Sequence, residues 1–332
     1  MVAAAAAAAA SSKVPLLMLA EKEENGEIRE FFDLSSGITH SMNLPELAGK
    51  CCLGVGFPGW VFTSDKQGNM NLFHIFTRTL INLPHMSMLE GYDSEEEIDC
   101  TDYVEKAVIS ADPLSSPTTD YVLGLIQGSP ATFAFWRPGD TFFTSLGSTI
   151  PDCAYSDITW YNGNFYGPNF RGDIVIFSFQ QHDDCGGARV VKGIPVDLIG
   201  CCQLYIVYSM GELLVIHRDG PISDEGQDTD QYGAKTFHVY KINDCNYEEI
   251  KDLGDRALFV GKSATLAMAI EDDEGSGCKR NHIYFTDDCV DSYFNLEQGG
   301  GKDMGVYNMV DGTIVPHYTG QSYHKVTPPL WV

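Results

Sequence analysis

The chain has 332 residues, 44% of them hydrophobic, and sets 21 Lys and Arg against 46 Asp and Glu, a formal net charge of −25. That balance argues against nucleic acid, whose phosphates need a cationic face, and against anionic membrane surfaces. No apolar run approaches the ~20 residues that cross a bilayer.

Residues 1–14 are dominated by alanine and read as a disordered low-complexity tail ahead of a single domain, 15–332. The tail lacks the basic start of a signal peptide and has no Arg. The ten cysteines form no C-x-x-C pair, and there is no N-x-S/T sequon. Together these features predict a reducing compartment, the cytosol or nucleus, with an organelle as the alternative address. Cys51-Cys52 and Cys201-Cys202 are neighbours that point to opposite faces of a strand, so they are expected to pack rather than bridge.

From Leu16 onward the chain is a series of short β-branched and aromatic runs closed by Gly, Asn, Asp and Pro. Three come first: Leu16 to Leu19, Arg29 to Leu34 and His40 to Leu44. Five longer units follow, each with room for four strands: Cys51 to Pro84, Lys106 to Leu146, Tyr155 to Gly193, Gln203 to Leu253 and Ala264 to His317. One short strand, Leu330 to Val332, remains at the end. Ile174 to Phe177, Leu213 to Ile216 and Leu266 to Ile270 are apolar at every position, as for strands covered on both faces.

The spacing predicts an all-β fold, a single β-propeller of six blades of four antiparallel strands, with seven as the alternative count. The strand missing from the first unit and the orphan at the end are complementary. Pairing them closes the ring and leaves no open edge.

Three acidic runs interrupt the repeat: seven carboxylates from Glu90 to Asp102, five from Asp219 to Asp230, and Glu271 to Glu274. Strand order puts the first two on one face with the Cys289 to Met304 loop, and the third on the other. Glu95, Glu96, Asp224 and Glu225 are therefore the candidate partner-binding residues, since clustered carboxylates steer a basic partner. The competing reading is that they only solvate the fold.

No catalytic constellation emerges. Asp183-Asp184 and Asp287-Asp288 lack the spacing of a calcium loop and read as turn formers. His182 and Cys185 have no second half, and there is no G-x-S-x-G elbow. Gly275 to Lys279 lacks the order of a phosphate loop. No catalytic residue, metal or cofactor is assigned.

An ordered series of motifs carries a family resemblance. It comprises Gly211-Glu212-Leu213-Leu214-Val215, Phe237 to Ile242, Leu253 to Gly261, Gly277-Cys278-Lys279, Asn281, Ile283 to Asp288, Gly305-Val306-Tyr307 and Pro328 to Trp331. It resembles the plant domain-of-unknown-function family 295, the KIB-type β-propeller domain of F-box-related proteins. The resemblance implies a non-catalytic propeller that recognises protein targets. Relatives commonly carry an N-terminal F-box that docks on a Skp-type adaptor. No amphipathic helical stretch precedes Leu16 here, so binding to that adaptor is not expected. The expectation is a monomeric protein-interaction module. Two alternatives are a regulator that competes with F-box relatives for targets, and a small-molecule binder or enzyme using the central channel.

Overall fold

The computed structural model describes residues 14–22, 26–92, 103–115, 120–146, 154–178, 187–191, 193–194, 203–220, 233–243, 246–271, 276–293 and 296–332. The β-rich runs form strands in chain order. The first three are β1 (Leu17–Met18), β2 (Ile28–Asp33) and β3 (Ile38–Asn43). The second blade holds β4 (Cys51–Gly54), β5 (Trp60–Ser64), β6 (Met70–His74) and β7 (Thr79–Asn82). The third holds β8 (Val104–Ile109), β9 (Leu123–Gln127), β10 (Thr132–Trp136) and β11 (Thr144–Ser145). The fourth holds β12 (Thr159–Tyr161), β13 (Asn164–Pro168), β14 (Ile174–Ser178) and β15 (Gly187–Val191). The fifth holds β16 (Gln203–Ser209), β17 (Glu212–Asp219), β18 (Thr236–Asn243) and β19 (Asn246–Ile250). The sixth holds β20 (Arg256–Val260), β21 (Leu266–Ala269), β22 (His282–Phe285), β23 (Gly305–Asn308) and β24 (Ile314–Val315), and β25 (Leu330–Trp331) ends the chain.

These strands make six sheets, and β25 completes the first in the order β25-β1-β2-β3. The fold is a six-bladed β-propeller, as the repeat spacing predicts. In the middle of a blade both faces are covered: β5, β6 and β9 are buried at every residue. The outer strands β7, β15 and β19 alternate between partly covered and exposed, because only one of their faces meets a neighbour. Cys51 and Cys52 are buried free thiols.

The sixth blade departs from the simple repeat. Its order is β21-β20-β22-β23-β24, and β20 runs parallel to β22. The sequence reading began this unit at Ala264 and left residues 254–263 between units. They supply β20 and the turn after it, because Ala257, Leu258, Phe259 and Val260 are fully buried between β21 and β22. The innermost strand β21 is only half-buried, against the covered strand expected for Leu266 to Ile270. One side of it faces the mouth of the ring.

Closure depends on three residues. Leu17 pairs with Trp331 and Met18 with Leu330, and Leu16 and Val332 exchange both backbone hydrogen bonds at 3.0 Å. The Trp331 ring is 1% exposed and meets Phe259 edge-on at 5.2 Å. His317 lies against Trp331 at 5.2 Å, and its Nε2 meets the Phe285 carbonyl at 2.9 Å. Its Nδ1 is buried without a partner, so the neutral ring fits and the cation does not. Burial lowers the His317 pKa from 6.5 to about 4.

Deleting Leu330 to Val332 is expected to abolish most soluble yield, and Trp331→Ala to cost about 3–5 kcal/mol by the magnitude of a large core truncation. Wild-type melting of either variant would contradict closure by β25. A second expectation concerns acid. His317 takes a proton more readily unfolded than folded, so its contribution is intact above pH 6.5 and is lost as pH falls towards about 4. Stability is expected to drop over that window by on the order of 2 kcal/mol more in the wild type than in His317→Gln. Denaturant midpoints at stepped pH check this, and parallel curves would exclude His317 as the source.

Candidate functional site

The axis of a propeller is where an enzyme or a small-molecule binder of this fold would place its chemistry. Here the protein fills the axis itself. The turn joining β20 to β21, Gly261 to Thr265, is buried at all five positions and reaches the innermost strands around the ring. The Ser263 hydroxyl accepts from the Gly54 amide at 3.1 Å and donates to the Trp331 carbonyl at 2.8 Å. The Ala264 amide donates to the Gly54 carbonyl at 2.8 Å. Only glycine fits at position 54, since a Cβ would stand 2.3 Å from the Trp331 carbonyl oxygen.

On the opposite side of the turn, Lys106 of β8 donates through Nζ to the carbonyls of Gly261 and Ser263. Lys106 is 3% exposed, and Asp157 beside it, 3.5 Å away, is fully buried. Asp157 Oδ2 accepts from the Thr265 hydroxyl at 2.7 Å and from the Ile206 amide of β16 at 3.0 Å. One turn thus joins the second, third, fourth and first blades to the sixth, and Asp157 adds the fifth. Burial raises the Asp157 pKa, opposed by Lys106, Thr265 and the Ile206 amide.

A second buried cluster lies between the fifth and sixth blades. Arg218, at the end of β17, donates from Nη1 to Tyr205 Oη at 3.1 Å, the Thr286 carbonyl at 3.0 Å and Asp288 Oδ1 at 3.0 Å. Its Nη2 donates to Asp303 Oδ2 at 2.5 Å. Tyr205 donates to Asp288 at 2.9 Å. Asp287 Oδ2 accepts from the amides of Gly301, Lys302 and Asp303 at 2.8, 3.1 and 3.3 Å. Burial works against the charge on Arg218, but Tyr205, Asp303 and Asp288 hold its pKa well above the ordinary value. Burial likewise raises the Tyr205 phenol. Asp287 and Asp288, read from the sequence as turn formers, are buried anchors. A salt-bridged Arg 70 residues away in the chain gives no local signal of this. Chemically, the described part of the cluster holds the connection that follows β22 through Arg218, Asp287, Asp288 and Asp303.

The two faces of the ring differ. Turns from the first to the second and from the third to the fourth strand position emerge on one face, the turn face. The β7–β8 and β17–β18 connections, which carry the two longer acidic runs, leave from the other. Arg218, one residue before the β17–β18 connection, holds the 286–304 loop on that second face, as strand order predicted. Glu95, Glu96, Asp224 and Glu225 themselves lie outside the described residues, as do Asp183-Asp184, His182 and Cys185. Among the described residues no group of three or more metal-ligating side chains occurs, and no helix is long and apolar enough to cross a membrane.

On the turn face, where the inner edges of the first, second and sixth blades meet, a pocket of about 250 Å³ opens over the axial turn. Phe57, Phe76, Leu266, Met268, Trp331 and Val332 give it apolar walls, and no side chain lining it is ionisable. Around this face Ile38, Leu114, Phe142 and Met210 stand 54%, 48%, 59% and 67% exposed at or beside the turns, while Met88 and Phe170 are exposed on the other face. The pocket was not read from the sequence. Its walls come from segments more than 300 residues apart, Val14 to Leu16 and Trp331 to Val332 included, and only the closed ring assembles them.

A family model described as the KIB1-4 beta-propeller matches residues 31–308. A probable F-box protein of Arabidopsis thaliana is 25% identical over 86% of this chain and 76% of its own length. A putative F-box protein of the same plant is 31% identical over 49% of this chain and 43% of its own length. A third, a probable F-box protein, is 25% identical over 73% of this chain and 62% of its own, so the chain spans less than two thirds of two of these three relatives. Among solved structures, the β-propeller domain of Myceliophteria thermophila Cps50 (Swd1) aligns with 92% of this chain and 85% of its own at 8% identity. Its TM-score of 0.37 adds nothing to the fold given by the strand pairing.

The axial pair supplies a test of its role. Lys106→Met leaves Asp157 buried and uncompensated, and Asp157→Leu does the same to Lys106. Each is expected to cost about 3–5 kcal/mol, and the double variant less than the sum of the two. A double-mutant cycle by denaturant unfolding measures this, and additive losses would show that the pair is not coupled.

Proposed function

The chain belongs to the KIB1-4 β-propeller family, and on that basis we propose that it is a non-catalytic protein-interaction module that recognises protein targets. The observation that carries this reading is the filled axis. The polar groups that could do chemistry at the centre of the ring, Lys106, Asp157 and Thr265, are buried and bonded to one another and to the axial turn. What the ring offers outward is its two faces. Platforms of this kind bind by exposed side chains on loops held by a rigid scaffold, and the exposed apolar residues of the turn face suit that task.

The names of the Arabidopsis relatives suggest the setting. An F-box protein delivers targets to a ubiquitin ligase, and a propeller of this family would hold the target. Where no F-box is engaged, the same surface would compete with full-length relatives for their targets. In this reading the propeller works as a monomer in the cytosol or nucleus. The small-molecule alternative rests on the turn-face pocket, whose size would suit a compact apolar ligand.

Purified propeller used as bait in an extract of plant tissue is expected to retain a protein that, once purified, binds saturably at one-to-one stoichiometry. Failure of every retained protein to bind when purified would overturn the reading.

A further inference from the structure

Opening the ring takes the turn-face pocket apart. Leu16 comes from the start of the first blade, Trp331 and Val332 from the strand that closes it, Phe57 from the second blade and Met268 from the sixth. The seam itself is short. Leu17 pairs with Trp331 and Met18 with Leu330, and the mutual hydrogen bonds of Leu16 and Val332 extend it. A pairing of this length gains little in water. A molecule seated in the pocket touches both sides of the seam and the two blades that flank it.

The main chain of these walls is already engaged. Gly54 bonds through its amide to Ser263 and through its carbonyl to Ala264. The Val55 amide donates to the Trp60 carbonyl, and the Val55 carbonyl accepts from Ile109. The Phe57 and Gly59 carbonyls accept from the amides of Trp60 and Ile75. A polypeptide laid across these walls would give up backbone hydration with little to replace it. No lining side chain is ionisable, and the charge the lining does hold is the main-chain carboxylate of Val332. An acid would lose its hydration there and meet a like charge. A molecule with an apolar body gains by burial. A cavity of about 150 Å³ holds benzene, and this one has about 250 Å³.

We infer that this pocket takes a compact, non-acidic apolar small molecule of one or two rings, and that the bound molecule holds the seam of the ring closed. Because only the closed ring has the pocket, ligand and closure stabilise one another by the same factor. Such a clamp goes beyond the interaction reading, because a propeller that recognises no protein would still be held closed by it.

The test titrates the whole propeller with benzyl alcohol and 2-naphthylmethanol, and with benzoate and 2-naphthoate as their acidic counterparts. At least one alcohol is expected to bind saturably, and its acid about tenfold or more weakly. At about 100 times its Kd the bound alcohol is expected to raise the melting temperature by about 4 °C. The Leu16 and Val332 amides bond across the seam. Their hydrogen exchange is expected to slow by up to about 100-fold at that concentration, while amides of the outer strand β19 keep their rate. Met268→Gln makes one wall polar at the same side-chain length, and Phe57→Ala removes another. Each is expected to weaken binding about fivefold or more. Both residues are half-buried, and the melting temperature of each free variant checks that the fold is kept. The clamp would be overturned by no saturable binding of either alcohol, by an acid that binds as tightly as its alcohol, or by equal affinity for wild type and both variants. A rise in melting temperature with no slowing at Leu16 and Val332 would overturn it too. So would displacement of the alcohol by a partner protein retained from plant extract, which would assign the pocket to that partner.

Discussion

Trp331 ties the closure of the ring to its axis. Its backbone pairs with Leu17 in the first blade, its carbonyl accepts from Ser263 in the axial turn, and its indole Nε1 donates to the Val260 carbonyl at 3.2 Å. A strand of two residues would be marginal by itself, because backbone pairing in water yields little net energy. It persists here because a large aromatic ring is buried between blades and because its carbonyl and indole N–H both find partners. The geometry of the other blades follows from that seam, since each sheet packs against its two neighbours and the ring must meet itself.

The axial turn obeys the same physics from the opposite direction. Five buried residues bring their backbone N–H and C=O groups out of water, and each group left unpaired would cost as much as a lost hydrogen bond. Lys106 and Asp157 meet part of this demand at the expense of burying two charges, which is tolerable only because they neutralise one another and are hydrogen-bonded. The result is a hub that touches all six blades. Filling the axis leaves the two faces as the surfaces the ring exposes around its centre. The faces then divide by chemistry. One receives the connections with the long acidic runs; the other carries a pocket with apolar walls.

Blade number, closure and the boundaries of the first five blades were legible in the sequence because they depend on local rules. Two-sided apolar strands such as Ile174 to Phe177, turns such as Asn162-Gly163 and Met210-Gly211, and a repeat of fixed length all leave marks within a few residues of one another. The complementary strand counts at the two ends gave away the seam. The sixth blade was misread at its start for a related reason. Its five strands and its parallel pair, β20 with β22, break the hairpin rule by which the other units can be counted.

What the sequence determined by itself was the fold, its closure and the absence of a contiguous catalytic motif, since each is written in periodicity and spacing. It could not show that Lys106 meets Asp157, that Arg218 meets Asp288 and Asp303, or that Phe57, Met268 and Trp331 enclose one pocket. Those contacts join positions 51 to more than 270 residues apart, and no local pattern predicts which buried charge will face which. Only the closed ring decides them, because burial removes water as the alternative partner and leaves each polar group the neighbour that the topology delivers.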